Sequence, residues 1–378
     1  MASGGSGDAF GYVIGWFRSR SSRTIHVAVF GSDWEFCTCP AYIFKRNCWH
    51  VRSVVSRSGV GLVESDAFKL EEFVGKIVRY ESSVPALNSL FDGYAYSTSE
   101  IFALYGEPNV GKTLLSVQDA FYFASKGINV LYIDTEGSLA TALAYWKQRF
   151  ERRFGQRKGE IYAAVLTSLE DLMRFLGYGV EVQLRGGKVE VSAELLKGTP
   201  RIESFCEDRK IGFVILDSVS APIRNRFPSA QQNFPARADV TGMIYASLLR
   251  LLARGTAVLT THHASINPAD VYQIHAEIRG GIVVQYFSKR VVYMDMRRRK
   301  GMEDIRRFFL VRSPSARPWS SAAFARIDGE KGFVEEKFNL DYLTDSERRL
   351  LAEGLLEEIT GEPQQQQTRQ REAGRRGK

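Results

Sequence analysis

Residues 106–113 read GEPNVGKT. They follow the apolar run Ile101 to Tyr105 and open a stretch with helical character. In that setting the pattern G-x-x-x-x-G-K-[ST] is a phosphate-binding loop; the plainer alternative is a glycine turn that caps a helix. Gly106 and Gly111 allow the backbone to curl, so that successive N–H groups and the helix N-terminus face phosphate oxygens. Glu107, Pro108, Asn109 and Val110 form the arc between the glycines, and Leu114 continues it into the helix. Lys112 is placed to reach the β- and γ-phosphates and Thr113 to bind Mg²⁺, so the expected ligands are ATP and Mg²⁺.

Outward from this loop, Val130 to Ile133, Tyr162 to Leu166, Phe213 to Leu216 and Ala257 to Thr260 read as further strands, with helices between most of them. Continuous apolar strands alternating with helices predict an α/β fold around a mostly parallel, twisted sheet. A P-loop needs a carboxylate on another strand to hold the metal's water shell, and Phe213-Val214-Ile215-Leu216-Asp217 supplies it; an Asp at a strand end also serves as a helix cap. The strand Val130 to Ile133, expected beside the P-loop strand, ends in Asp134-Thr135-Glu136-Gly137. Glu136 is the candidate that activates the attacking water, with Lys112 as its catalytic companion. Asp134 is the alternative, although it suits a helix cap better.

The chain has 378 residues, 44% hydrophobic, 12% aromatic and 25% charged, which is the composition of a soluble globular protein. At about 150 residues per domain that is two folded units plus tails. Lys and Arg (51) exceed Asp and Glu (43), giving a net +8 that favours anionic partners such as nucleic acid or acidic lipid. No apolar run approaches the ~20 residues of a membrane helix, and no secretory signal is read, so a cytoplasmic protein without a membrane span is expected.

Beyond the P-loop the sequence resembles the RecA/RadA recombinase superfamily, the archaeal RadA-like branch in particular. The matching stretches are VPALNSLFDG (84–93), GEPNVGKT, VLYIDTEGSL (130–139), FVILDSVSAPIRNRF (213–227), AVLTTHHA (257–264), RGGIVVQYFSKRVVYM (279–294) and VRSP (311–314). The resemblance implies a RecA-like ATPase core over 84–342. It implies a first DNA-contacting loop carrying Arg224, Arg226 and Arg237, and a second over 264–279 with Tyr272, Gln273, His275 and Arg279, suited to phosphates and base stacking. His263 stands where the family has a polar sensor, usually glutamine, that couples nucleotide state to DNA; His262 is the alternative. The expected partners are single-stranded DNA, then double-stranded DNA, a main RadA-type recombinase or paralogue, and a second copy of the chain. Three departures stand out. Arg312 replaces an acidic cap residue, the stretch 60–84 lacks a Phe-x-x-Ala polymerisation motif, and no helix-hairpin-helix domain is read at the N-terminus. They favour a recombinase paralogue or mediator over the main strand-exchange enzyme. The rivals are a non-catalytic scaffold and a RecA-fold ATPase outside recombination.

The sequence contains 4 cysteines. Cys37-x-Cys39 and Cys48-x-His50 form C-x-C-x₈-C-x-H, three thiolates and an imidazole that complete a tetrahedral, structural Zn²⁺ site. The spacing resembles the SWIM zinc finger, with an HVAVF strand before it and a helix from about Trp49 to Val55. The expected organisation is a zinc module over 1–60, a linker over 61–83, the ATPase core over 84–342 and a helix with a disordered basic tail over 343–378. EVQLRGGKVEV (181–191) reads as an inserted hairpin turning at Gly186-Gly187, and Arg297-Arg298-Arg299-Lys300 as the tip of another.

Overall fold

The computed structural model describes residues 13–18, 25–30, 35–38, 77–185, 188–196, 201–227, 233–265, 277–278, 281–297, 299–354 and 356–358. In chain order its strands are β1 (Val13–Arg18), β2 (Ile25–Phe30), β3 (Glu35–Cys37), β4 (Arg79–Tyr80), β5 (Tyr96–Ser97), β6 (Ile101–Gly106), β7 (Asn129–Asp134), β8 (Ile161–Val165), β9 (Tyr178–Arg185), β10 (Lys188–Leu195), β11 (Ile211–Asp217), β12 (Ala257–Ser265), β13 (Glu277–Ile278), β14 (Ser288–Met296), β15 (Ile305–Arg312), β16 (Ser321–Asp328), β17 (Gly332–Glu335) and β18 (Glu357–Glu358). Its α-helices are α1 (Pro85–Ser89), α2 (Lys112–Ser125), α3 (Leu139–Phe154), α4 (Leu169–Phe175), α5 (Ile202–Asp208), α6 (Ser220–Arg226), α7 (Phe234–Leu252), α8 (Gly281–Phe287) and α9 (Asp345–Ala352).

The main sheet has 11 strands in the order β17-β16-β15-β14-β6-β12-β11-β7-β8, with β13 on β12 and β18 on β16. From β14 to β8 all neighbours are parallel, and from β14 to β17 they are antiparallel. Each strand expected from the apolar runs lies in the parallel part. The expected neighbourhood of Glu136 needs correction, because β7 is not beside the P-loop strand β6: β12 and β11 lie between them. The reason is burial. Phe213 to Leu216 and Ala257 to Leu259 are all at most 1% exposed, and runs that apolar take the middle of a sheet covered on both faces.

Alternation along each strand divides the core in two. Phe102, Leu104, Val130, Tyr132, Phe213, Ile215 and Leu259 pack with Leu115, Phe121, Phe123 and Phe150 of α2 and α3. Ile101, Ala103, Tyr105, Leu131, Val214, Leu216 and Val258 pack with Val240, Ile244 and Leu248 of α7. The P-loop therefore sits where a fully buried strand runs into a helix that is itself held against the sheet.

The inserted hairpin forms as β9 and β10, paired from Tyr178↔Leu195 to Arg185↔Lys188. Its Val189, Val191 and Ala193 join the core cluster on the α7 side. β1, β2 and β3 make a separate antiparallel sheet, and Ala28 and Cys37 of it are buried in that same cluster. Of the stretch expected as a linker, residues 77–83 lie against the core: β4 pairs with β5, and Ser82, Ser83 and Tyr96 all donate hydrogen bonds to the buried carboxylate of Asp119 on α2. Helix α9 is likewise docked, through Glu347, which accepts a 2.7 Å bond from Arg307 on β15. The expected helix from Trp49 to Val55 and the basic tail after 358 lie outside the described residues.

Candidate functional site

The curl of the P-loop depends on its two glycines. A Cβ on Gly106 would stand 2.1 Å from the carbonyl oxygen of Met294 on β14. Gly111 has φ +104°, a left-handed conformation that side chains resist. Lys112 folds back across the loop, its Nζ donating to the carbonyls of Gly106 (3.0 Å) and Glu107 (2.8 Å). It is 7% exposed. Burial pushes its ammonium below the usual lysine range, against the pull of Asp217, Glu136 and Glu107. A nearly dry ammonium, a helix N-terminus and a curled backbone are a donor set that fits the phosphates of a nucleotide.

Across the loop stand two carboxylates in different surroundings. Asp217, at the end of β11, is 2% exposed. Tyr132 donates to its Oδ2 (2.7 Å) and Thr261 to its Oδ1. Burial raises the Asp217 carboxyl above the usual range, while the bonds from Thr261, Tyr132 and Thr113 oppose that rise. The link to Thr113 joins the two residues expected to hold Mg²⁺, so the oxygens present fit that ion. Glu136 has 28% of its side chain exposed. Its Oε1 lies 2.8 Å from His263 Nε2 and accepts a 2.6 Å bond from Ser218 Oγ. The bond from His263, helped by Ser218, lowers its carboxyl from the ordinary 4.5 to about 2.

The alternatives separate cleanly. Asp134 caps α3: its carboxylate accepts the backbone N–H groups of Glu136, Gly137, Ser138 and Leu139, so it is occupied as a cap. His262 points to the other face of β12, where its Nε2 meets Tyr245 OH at 2.8 Å and the two rings stack. His263 is the histidine beside Glu136. Although β12 and β11 separate β7 from the P-loop strand, the turn after β7 brings Glu136 back: Thr135 Oγ1 donates to Ser218 O and accepts from Ser218 N.

Three of the candidate DNA-contacting residues, Arg224, Arg226 and Arg237, lie among the described residues. Arg224 on α6 is exposed. Arg226 donates to Glu170 (2.7 Å) and to the Val182 carbonyl of the hairpin, and Arg237 donates to Phe227 O (2.8 Å). Tyr272, His275 and Arg279 lie outside the described residues. The base of the second loop is described: Ala264↔Ile278 and Ser265↔Glu277 pair antiparallel at the carboxyl end of β12, directly after His263. Arg312 donates to Gln285 O on α8, so its guanidinium is turned into its own subunit.

A family described as an AAA domain matches residues 65–268, a span that holds the P-loop, Glu136, Asp217 and His263. The chain belongs to this family. It is also 25% identical over 230 residues to the DNA repair and recombination protein RadB of Methanosphaera stadtmanae, covering 60% of this chain and 85% of that protein. To the DNA repair and recombination protein RadB of Methanococcoides burtonii it is 22% identical over 214 residues, covering 57% and 81%. The fold is that of a RecA-like P-loop core, and the antiparallel strands β14 to β17 lie beyond the matched AAA domain. So do the candidate zinc ligands. Cys37 ends β3 with its side chain 0% exposed, whereas Cys39, Cys48 and His50 lie outside the described residues. Among the described residues no group of three or more His, Cys, Asp or Glu is placed to hold a metal ion, and no helix is long and apolar enough to cross a membrane.

Four site residues of the AAA domain were not singled out in the sequence: Tyr132, Thr135, Ser218 and Thr261. Ser218 had a local signal, since it follows the strand-ending Asp217. Tyr132 and Thr261 had none, because each meets Asp217 from a different strand.

Proposed function

We propose that the chain is a DNA-dependent ATPase of the RadA-like class, acting in homologous recombination and DNA repair as a recombinase paralogue or mediator. The observation that carries this reading is the convergence on one carboxylate: Glu136 is held by Ser218, the residue after β11, and by His263 of β12, and His263 leads directly into the ribbon that opens the second candidate DNA loop. In this reading ATP lies on residues 106–114, Lys112 stabilises charge on its phosphates, and Thr113 and Asp217 hold Mg²⁺, which offsets phosphate charge when bound. A carboxylate lowered to about 2 is a weak base, so Glu136 orients water rather than removing its proton early. His263 relays nucleotide state to DNA held by Arg224 and the loop residues Tyr272, His275 and Arg279. Arg226 and Arg237 fasten the ends of the first loop. The names of the RadB relatives support a role in DNA repair and recombination; the reading adds a recombinase or a second copy as protein partner and a cytoplasmic location. Cys37, Cys39, Cys48 and His50 would hold a structural Zn²⁺ in a SWIM-type module that adds a DNA or partner contact.

The double engagement of Glu136 also favours a second reading, a nucleotide-binding scaffold with little turnover that recruits a recombinase. ATP hydrolysis, measured with and without single-stranded DNA across a salt series, separates the two. The ATPase reading expects stimulation that fades with salt and a loss of about 10²–10⁴-fold in Glu136→Gln, with no turnover in Lys112→Ala. A rate indifferent to DNA and to both substitutions defeats it.

A further inference from the structure

Within the P-loop, three of the backbone carbonyls have partners inside the AAA domain. Those of Gly106 and Glu107 accept from Lys112, and that of Gly111 accepts from the Leu115 N–H as the first turn of α2 forms. The carbonyl of Val110 is different. It accepts a 2.7 Å bond from Nε of Arg306, a residue 196 positions away on the antiparallel strand β15. Arg306 is 8% exposed, and its Nη1 donates to the carbonyls of Glu303 (2.5 Å) and Ile305 (3.2 Å). One planar guanidinium thus ties the P-loop to the β14–β15 turn.

The peptide between Val110 and Gly111 is the part of the loop that most needs such a tie. Gly111 has φ +104°, and glycine tolerates either sign of φ, so this peptide plane can turn over at little steric cost. In a trans peptide the C=O and N–H point to opposite sides. With the Val110 oxygen held outward by Arg306, the Gly111 N–H is committed to the other side, as a phosphate cradle requires. Turned over, the same peptide would present its oxygen to an anion.

We infer that Arg306 is a positioning residue of the nucleotide site, fixing the Val110–Gly111 peptide so that the P-loop is formed before ligand arrives. The inference rests on the nucleotide reading proposed above and deepens it. Arg306 acts through the loop backbone and touches no reacting atom.

The test uses the full-length protein and measures equilibrium binding of ATP with Mg²⁺, turnover at saturating ATP, and melting without nucleotide. Loss of one charge-assisted hydrogen bond predicts that Arg306→Gln weakens ATP binding about tenfold, with turnover at saturation within about threefold. Arg306→Lys keeps the charge but offers a compact ammonium in place of the planar fork, so about three- to fivefold weaker binding is expected. Folded Arg306→Gln that binds ATP as the wild type does overturns the inference and leaves the nucleotide reading standing. If Arg306→Gln does not fold, Arg306→Lys decides: wild-type affinity assigns Arg306 to folding alone, whatever the melting temperature. Wild-type protein that binds no ATP overturns the nucleotide reading itself, and this inference with it.

Discussion

The parallel part of the sheet and its antiparallel extension use charge in opposite ways. At the carboxyl ends of β6, β7, β11 and β12 two ionisable groups, Lys112 and Glu136, are only partly spoken for. Lys112 is bonded to carbonyls and, among the described residues, to no carboxylate, and Glu136 accepts from Ser218 and His263 with part of its surface open. In the extension the charges are consumed. Arg307 is 5% exposed at its side chain and holds Asp295 at 2.6 Å and Glu347 at 2.7 Å. The first arrangement leaves electrostatic work undone until a ligand supplies the missing charge. The second ties β14, β15 and α9 together and has nothing left over.

The largest expected effect breaks the second arrangement. Arg307→Ala strands two buried carboxylates, and removing one partner from a buried ion pair costs about 3–5 kcal/mol. Urea denaturation should show that loss, while the folded fraction keeps its ATP affinity. Lys112→Ala should do the reverse, changing stability by less than about 1 kcal/mol because the side chain bonds only to its own loop, yet abolishing nucleotide-dependent activity. Equal loss of stability in both would erase the distinction between the two regions.

How far the two regions were legible follows the same division. The P-loop, Asp217 and Glu136 are local patterns: a glycine arc, an apolar run and the carboxylate that ends it. The strands from Ile101 to Thr260 were readable because each is a short apolar run between helical segments. What was not readable depends on partners far away in sequence. Nothing near Asn129–Asp134 shows that β11 and β12 will slip between it and β6. Nothing in Ile305–Arg312 indicates that one of two adjacent arginines will clamp the P-loop and the other a helix 40 residues later. The stretch read as a linker gave no sign that Ser82 and Ser83 close over Asp119, which lies 37 and 36 positions away from them.

Gln118 gives a smaller test at the seam between the regions. Its amide on α2 accepts from the Phe333 N–H (2.7 Å) and donates to the Phe333 carbonyl (3.1 Å), as a neighbouring strand would to β17. Gln118→Leu leaves the buried Phe333 N–H without its partner, while the Phe333 carbonyl keeps its 2.7 Å bond from Arg153 Nη1, for an expected loss of about 1–3 kcal/mol. If the extension supports the P-loop helix as well as itself, ATP binding by the folded variant should also weaken, by a smaller factor than in Arg306→Gln. Stability lost with affinity unchanged would confine the support to Arg306.

The finest distinction lies between the two site carboxylates, and pH reads it with a sign for each. Glu136 is lowered from 4.5 to about 2, mainly by His263. A carboxyl that is more acidic in the folded state contributes stability that is fully present above its unfolded value and drains away as pH falls toward its folded one. Asp217 is shifted the other way by burial, so its protonation favours the folded state and its contribution grows as pH falls. His263→Ala removes the main cause of the Glu136 shift and leaves the hydrogen bonds on Asp217 in place. The variant should therefore melt below the wild type at about pH 6, and the gap should narrow between about pH 4.5 and 3 as the wild type gives up the Glu136 contribution. A gap that stays constant across that range would mean that His263 supports packing alone and that Glu136 is ionised without its help. A gap that narrows makes the His263–Glu136 contact an electrostatic one, as a relay from nucleotide to the β12–β13 ribbon requires.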